Sequence, residues 1–197
     1  MMRRAGLRCL GSLGSLGNLG NLALGLLLAL LSLLALSPAT VWAALPERYN
    51  AIVLQPAGGP DRAEFDLNPA LDRARREKKR LYVYLGASDC PYCRRYEAFL
   101  ARSADALLPQ FKAHKFLLVD LRSRLLMSAD KLFLRIGEGS LPYAEFQRSI
   151  GDERARLLVY PSVWLLVALG KPLMQMPAGT GTFETVAEQL EILRLEQ

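Results

Sequence analysis

Short apolar runs alternate with amphipathic stretches along most of the chain, and this alternation predicts the order of elements. Residues 81–85 (LYVYL) are strand formers closed by Gly86 and read as a central buried strand. Residues 116–120 (FLLVD) and 163–168 are two more apolar strands. Gly170-Lys171 then makes a tight turn, so 172–176 returns as the second arm of a hairpin. Between the strands the period lengthens. Leu67, Leu71 and Ala74 share one face of a helix opened by Asn68-Pro69, with Asn as N-cap and Pro in the first turn. Tyr92, Tyr96, Phe99 and Leu100 mark a helix over 91–103, and such an aromatic stripe reads as core. Residues 121–156 follow a mostly helical pattern interrupted at Gly137-Glu138-Gly139. Phe183, Val186, Leu190 and Leu193 line a last helix, after a Gly179-Thr180-Gly181 turn that lacks the further glycines or lysine of a phosphate loop. Residues 51–54 suggest an edge strand, and Ala57-Gly58-Gly59-Pro60 a break. The expected class is α/β: a parallel core with an antiparallel hairpin at its end, flanked by helices.

The first 43 residues read differently. A basic start (Arg3, Arg4, Arg8) precedes an uncharged, leucine-rich run over 22–36, broken by Pro38. Val41-Trp42-Ala43 then supplies a small-residue exit, with the cut before Ala44. These are the parts of a secretory signal, which implies export to the periplasm. The rival is an uncleaved membrane anchor, for which the apolar run falls short of the ~20 residues a span needs. The expected organisation is a signal peptide over 1–43, a leader over 44–63 and one domain over 64–197.

Composition then narrows the function classes. The chain has 197 residues, 51% of them apolar and 22% charged, enough apolar surface for one packed domain. The net charge of +6 falls to +3 once the three arginines of the signal segment are removed, so nothing argues for a nucleic-acid partner. The basic cluster over 73–80 reads as a solvated helix face, His114 as a surface residue and Trp164 as core. Of three cysteines, Cys9 leaves with the signal. Cys90 and Cys93 remain, in a compartment where disulfides form.

Cys90-Pro91-Tyr92-Cys93 stands where the central strand meets a helix. Two intervening residues let the sulfurs meet across one helical turn. Cys90 would face the orphan N–H groups and positive end of the helix, which favour thiolate, the attacking species in disulfide exchange. Cys93, pointing inward and less exposed, would attack a mixed disulfide on Cys90 and free the substrate. A structural disulfide across so short a loop stabilises little. A zinc site would lack ligands, with one histidine in the chain.

With LYVYLGASDCPYC, YPSVWLLVALGKPL and a final helix after Ala-Gly-Thr-Gly, residues 64–195 resemble the thioredoxin superfamily, in particular exported bacterial members. The resemblance implies a thioredoxin-like fold in which 121–156 is a helical insertion before the strand led by a cis-proline. Pro161 fits that proline, so a cis Tyr160–Pro161 bond is expected, with Tyr160, Pro161, Pro91 and Tyr92 contacting substrate. Asp89 replaces the usual tryptophan before the first cysteine, and Tyr84 stands where the family often buries an acid. The Pro-Tyr pair looks like that of glutaredoxins. The implied function is an exported thiol–disulfide oxidoreductase that needs no cofactor, acts on thiols or disulfides of exported proteins and is recycled by a membrane redox partner. The reducing direction is favoured, because Asp89 opposes an extreme thiolate. A disulfide oxidase and a non-catalytic binding module are the alternatives.

Overall fold

The structure, a computed structural model, describes residues 44–124, 127–149, 151, 157–176 and 184–195. Its centre is β4 (Arg80–Ala87), buried from Leu81 onward. It lies between a parallel neighbour, β5 (Phe116–Ser123), and an antiparallel one, β8 (Ser162–Leu166). The edges are β1 (Ile52–Leu54), parallel to β5, and β9 (Pro172–Met176), antiparallel to β8. The expected edge strand and terminal hairpin are both present.

Alternation along these strands divides the interior in two. Leu81, Val83 and Leu85 join Leu117, Val119, Leu121, Trp164 and Leu166 on one face. Tyr82 and Tyr84 point the other way, with Phe116, Leu118, Val163 and Leu165. The second face is covered by α2 (Pro91–Arg102), α3 (Ala104–Ala113) and α5 (Val186–Leu195). Tyr82 and Tyr96 hydroxyls share a hydrogen bond, and Tyr96 donates to Gln189 Oε1 at 2.8 Å, tying α5 to α2 and β4. The expected stripe holds for Tyr96, Phe99 and Leu100, but Tyr92 is half-exposed. α3 is an element the sequence reading did not include.

The first face meets α1 (Asn68–Glu77) and a second sheet, ordered β2 (Ala57–Gly59), β3 (Arg62–Asp66), β6 (Leu132–Ile136) and β7 (Gly139–Pro142). This corrects two expectations. The supposed break at Ala57–Gly59 is one arm of a hairpin with β3. Residues 121–156 are not a helical insertion: among the described residues they finish β5, form the β6–β7 hairpin and contain one turn of 3-10 helix (Ala129–Lys131) and one short α-helix, α4 (Tyr143–Ser149). β3 pairs in parallel with β6, 69 residues later at Ala63–Leu132, so the pairing is invisible to local periodicity. Phe65, Leu134, Tyr143 and Phe146 reach Trp164 on β8, whose indole is fully buried as expected.

Asn68 also differs from its expected role. It lies inside α1, where Asp66 Oδ1 accepts its N–H at 3.0 Å, and no N-cap side-chain bond forms. Its own amide clamps Gly137 instead, donating to the carbonyl at 3.0 Å and accepting the N–H at 2.7 Å. The basic face of α1 is solvated and ion-paired, through Arg73–Glu77 and Arg75–Asp72. The leader segment 1–43 and the Gly179–Gly181 turn with Phe183 lie outside the described residues.

Gly170 sits where the β8–β9 turn abuts the second sheet. Its φ is +80°, and a Cβ there would come within 2.4 Å of Ile136 Cγ2. Gly137 has φ +62° but open space around it. Gly137→Ala should therefore cost about 1 kcal/mol, from conformation alone. Gly170→Ala should cost about 3 kcal/mol, because overpacking adds to the same strain. Urea denaturation of the two variants checks this; equal losses would show that the turn does not press on the second sheet.

Candidate active site

The strand-to-helix junction is built as its sequence demands. β4 ends at Ala87, the chain turns, and Pro91 opens α2 with Cys90 as its N-cap. Cys90 Sγ accepts the Cys93 N–H at 3.2 Å, and Cys93 Sγ accepts the Ala87 N–H at 3.4 Å. Both are free thiols. The expected contrast in exposure is absent, since Cys90 is 1% exposed and Cys93 0%. Both belong to the cluster that holds Tyr143, Tyr160 and Trp164.

The Tyr160–Pro161 bond is cis, and Pro161 immediately precedes β8. Cys90 Sγ faces the Tyr160 carbonyl at 3.9 Å. The Tyr160 hydroxyl donates to Ser123 Oγ at 2.8 Å, fixing the residue against the end of β5. A groove of about 670 Å³ opens there, lined by Pro56, Gly58, Arg122, Ser123, Arg124 and Met127. Pro91 and Tyr92 stand exposed at the start of α2. The structure thus gathers Cys90, Cys93, Tyr160 and Pro161, with Pro91 and Tyr92 on the outer side. His114 is elsewhere: it closes α3, and its carbonyl accepts from Arg80 at the far end of β4.

Glu97 and Asp120 were not singled out in the sequence. Glu97 lies one helical turn after Cys93, buried on the inner face of α2. Its Oε1 accepts the Tyr84 hydroxyl at 2.7 Å, and the same hydroxyl interacts with the Cys93 thiol and lowers its proton affinity. The Tyr84 ring occupies the space over Gly86, where a Cβ would meet its hydroxyl at 2.7 Å. Tyr84 is in register with Asp120 on β5, and Asp120 is 1% exposed. The visible signals were weak: an acid four residues after Cys93 on an apolar face, and an acid inside FLLVDL.

Burial sets the proton affinities. It pushes the Cys93 thiol far up, assisted by Cys90 and opposed by the Ala87 N–H and Tyr84. It pushes Glu97 up to about 7; Asp120 adds to this, while Tyr84, the Ala44 N–H and Arg122 oppose it. Asp120 is raised too, by burial set against Arg122 and the Leu45 N–H. With Glu97 ionised, Cys93 S–H, Tyr84 O–H and the carboxylate form a continuous path along which Cys93 can lose its proton. Tyr84 thus stands between Glu97 and the Cys93 thiol. Among the described residues, no group of three or more His, Cys, Asp or Glu side chains comes together as a metal site would require.

No protein-family model matches the chain, and no curated protein matches it. Similar solved structures include a thioredoxin-fold protein from Helicobacter pylori, at 17% identity and a TM-score of 0.38, covering 59% of this chain and 68% of that one. Another is the first two thioredoxin domains of Saccharomyces cerevisiae Eps1p, at 17% identity and a TM-score of 0.35, covering 71% of this chain and 41% of that one. The chain therefore spans less than half the length of the second.

Glu97 generates a pH prediction for a chain that keeps a peptide bond before Ala44. Its carboxyl titrates near 7 when folded and near 4.5 when unfolded, so the folded state holds the extra proton between those values. Stability should then fall as pH rises across that window, by at most about 3 kcal/mol. Glu97→Gln should remove this slope. Denaturant titrations at pH 5 and pH 8 measure it, and parallel behaviour of parent and variant would refute a neutral buried Glu97.

Proposed function

We propose that the protein is an exported thiol–disulfide oxidoreductase that reduces disulfides of other exported proteins through Cys90 and Cys93. The observation that carries this reading is the Cys90 sulfur at the α2 N-terminus, bonded to the Cys93 N–H and faced by the Tyr160 carbonyl. In the proposed cycle Cys90 Sγ attacks a substrate disulfide, and the first substrate sulfur leaves with the electron pair of the broken bond. Cys93 passes its proton towards Glu97 through Tyr84 and attacks Cys90 Sγ. The Cys90–substrate bond breaks, the second substrate sulfur leaves with its electron pair, and the substrate has gained the two electrons that Cys90 and Cys93 lost in forming their disulfide. A dithiol donor at the membrane restores the pair. No metal or organic group takes part.

The backbone at Tyr160 and Pro161 would hold the substrate chain, with Tyr92 as an apolar contact and the groove at Arg122–Arg124 as its continuation. Because Cys90 is buried, a disulfide can reach its sulfur only if the packing over it opens. The reducing direction is supported by Asp89, a negative charge beside a sulfur that an oxidant would need as a stable thiolate.

The reduction potential of the Cys90–Cys93 pair, equilibrated in dithiothreitol or glutathione buffers, tests the function. A value near −270 mV is expected, and one near −120 mV would reverse the direction. Cys90→Ser should abolish exchange, while Cys93→Ser should accumulate mixed disulfides on Cys90. A pair that could not be cycled would leave a binding module as the function.

A further inference from the structure

We infer that removal of the leader before Ala44 builds part of this site: the α-ammonium released at Ala44 binds the buried carboxylates of Glu97 and Asp120 and holds Glu97 ionised beneath Cys93. The inference rests on the export reading and deepens the proposed function, but its electrostatic core can be tested without any redox assay.

The chain that follows Ala44 is firmly docked. Leu45 and Tyr49 are 6% and 5% exposed, packed against α2 and α3. The Tyr49 hydroxyl donates to the Leu100 carbonyl at 2.9 Å, and Arg48 pairs with Asp105 at 2.6 Å. This anchoring brings two consecutive backbone N–H groups onto two carboxylates from different elements. Ala44 N–H bonds to Glu97 on α2, and Leu45 N–H bonds to Asp120 Oδ2 on β5 at 3.2 Å. Position 44 is thus already a hydrogen-bond donor to the acid that serves Cys93.

The charge balance around the pair is uneven. The groups that face it are Tyr84 on β4, Arg122 on β5 and, through Tyr84, Cys93 on α2. Arg122 alone among these is a cation, and its guanidinium bonds Asp120 Oδ2 at 3.2 Å. Asp120 Oδ1 is buried with no hydrogen-bond partner among the described residues. Burial, with two acids sharing one cation, leaves Glu97 partly protonated near neutrality while position 44 is an amide.

Hydrolysis at the small-residue exit supplies the missing charge. A signal peptidase adds water across the Ala43–Ala44 amide, leaving a carboxylate on Ala43 and an ammonium on Ala44. The nitrogen that donated one N–H to Glu97 then carries a full positive charge and three protons, one of them available for a second carboxylate oxygen. Glu97 becomes a charged proton acceptor, and the amine is held protonated above its ordinary pKa of about 8. Before processing, the same acid titrates near 7 and is only partly ionised at neutral pH, a poorer acceptor for the Cys93 proton.

The test uses the full-length chain, exported by a bacterial host with its own leader. Intact mass of the purified product should place its first residue at Ala44. Acylation of its α-amine across pH should be at least tenfold slower at pH 7 than that of an ordinary α-amine, corresponding to a rise of one pH unit or more. Both Glu97→Gln and Asp120→Asn should restore the ordinary rate. A variant with Ala-Gly inserted before Ala44 keeps the amide and should show Glu97 titrating near 7, by carboxyl NMR signals, where the native product does not. A product that begins at another residue, or an amine that reacts at the ordinary rate in native and variant proteins alike, overturns the inference. A slowed amine in a protein without exchange activity would uphold it and remove the redox function; an active protein with an ordinary amine would do the reverse.

Discussion

Burial of β4 on both faces is the constraint from which the rest of the molecule follows. A strand covered on both sides cannot send a polar side chain to water, so every hydroxyl it carries must find a partner in the interior. β4 carries two, on Tyr82 and Tyr84, both fully buried. Tyr82 is met by Tyr96 and, through it, by Gln189, which fixes how α2 and α5 lie on the sheet. Tyr84 is met by Glu97 and Cys93, which fixes the chemistry at the start of α2. One alternation of side chains thus sets both the helix packing and the polar chain under the cysteines.

The features legible in the sequence were those written in short windows. Residues 81–85 and 116–120 announce strands by composition, the CxxC announces a strand–helix junction, and Pro161 follows its tyrosine directly. What escaped depends on partners far apart. β3 and β6 are weak strands alone, and each is held by direct pairing with the other, 69 residues away in sequence at Ala63–Leu132. Without that pairing, LFLRI within 121–156 fits a helix as well as a strand. Asn68 looks like a cap until the β6–β7 turn comes close enough to be clamped. Glu97 looks like an ordinary helix acid until Tyr84, from another element, supplies the hydrogen bond that gives it a task.

The cluster of Cys93, Tyr84, Glu97 and Asp120 also bears on which kind of molecule this is. Burying a carboxyl so that it titrates near 7 costs stability at neutral pH, and a Gln at position 97 could accept the Tyr84 hydroxyl without that cost. A scaffold that only displayed the Tyr160–Pro161 edge would have no use for it. A site whose second sulfur is held as a thiol by burial does, because that sulfur can attack only after losing its proton to a nearby acceptor. Perturbed acids of this kind gather at sites of chemistry. Under the exchange proposed at Cys90 and Cys93, that disadvantage has a use. Under the cleavage inferred before Ala44, the firm packing of the following segment against α2 would set how far that acid is charged.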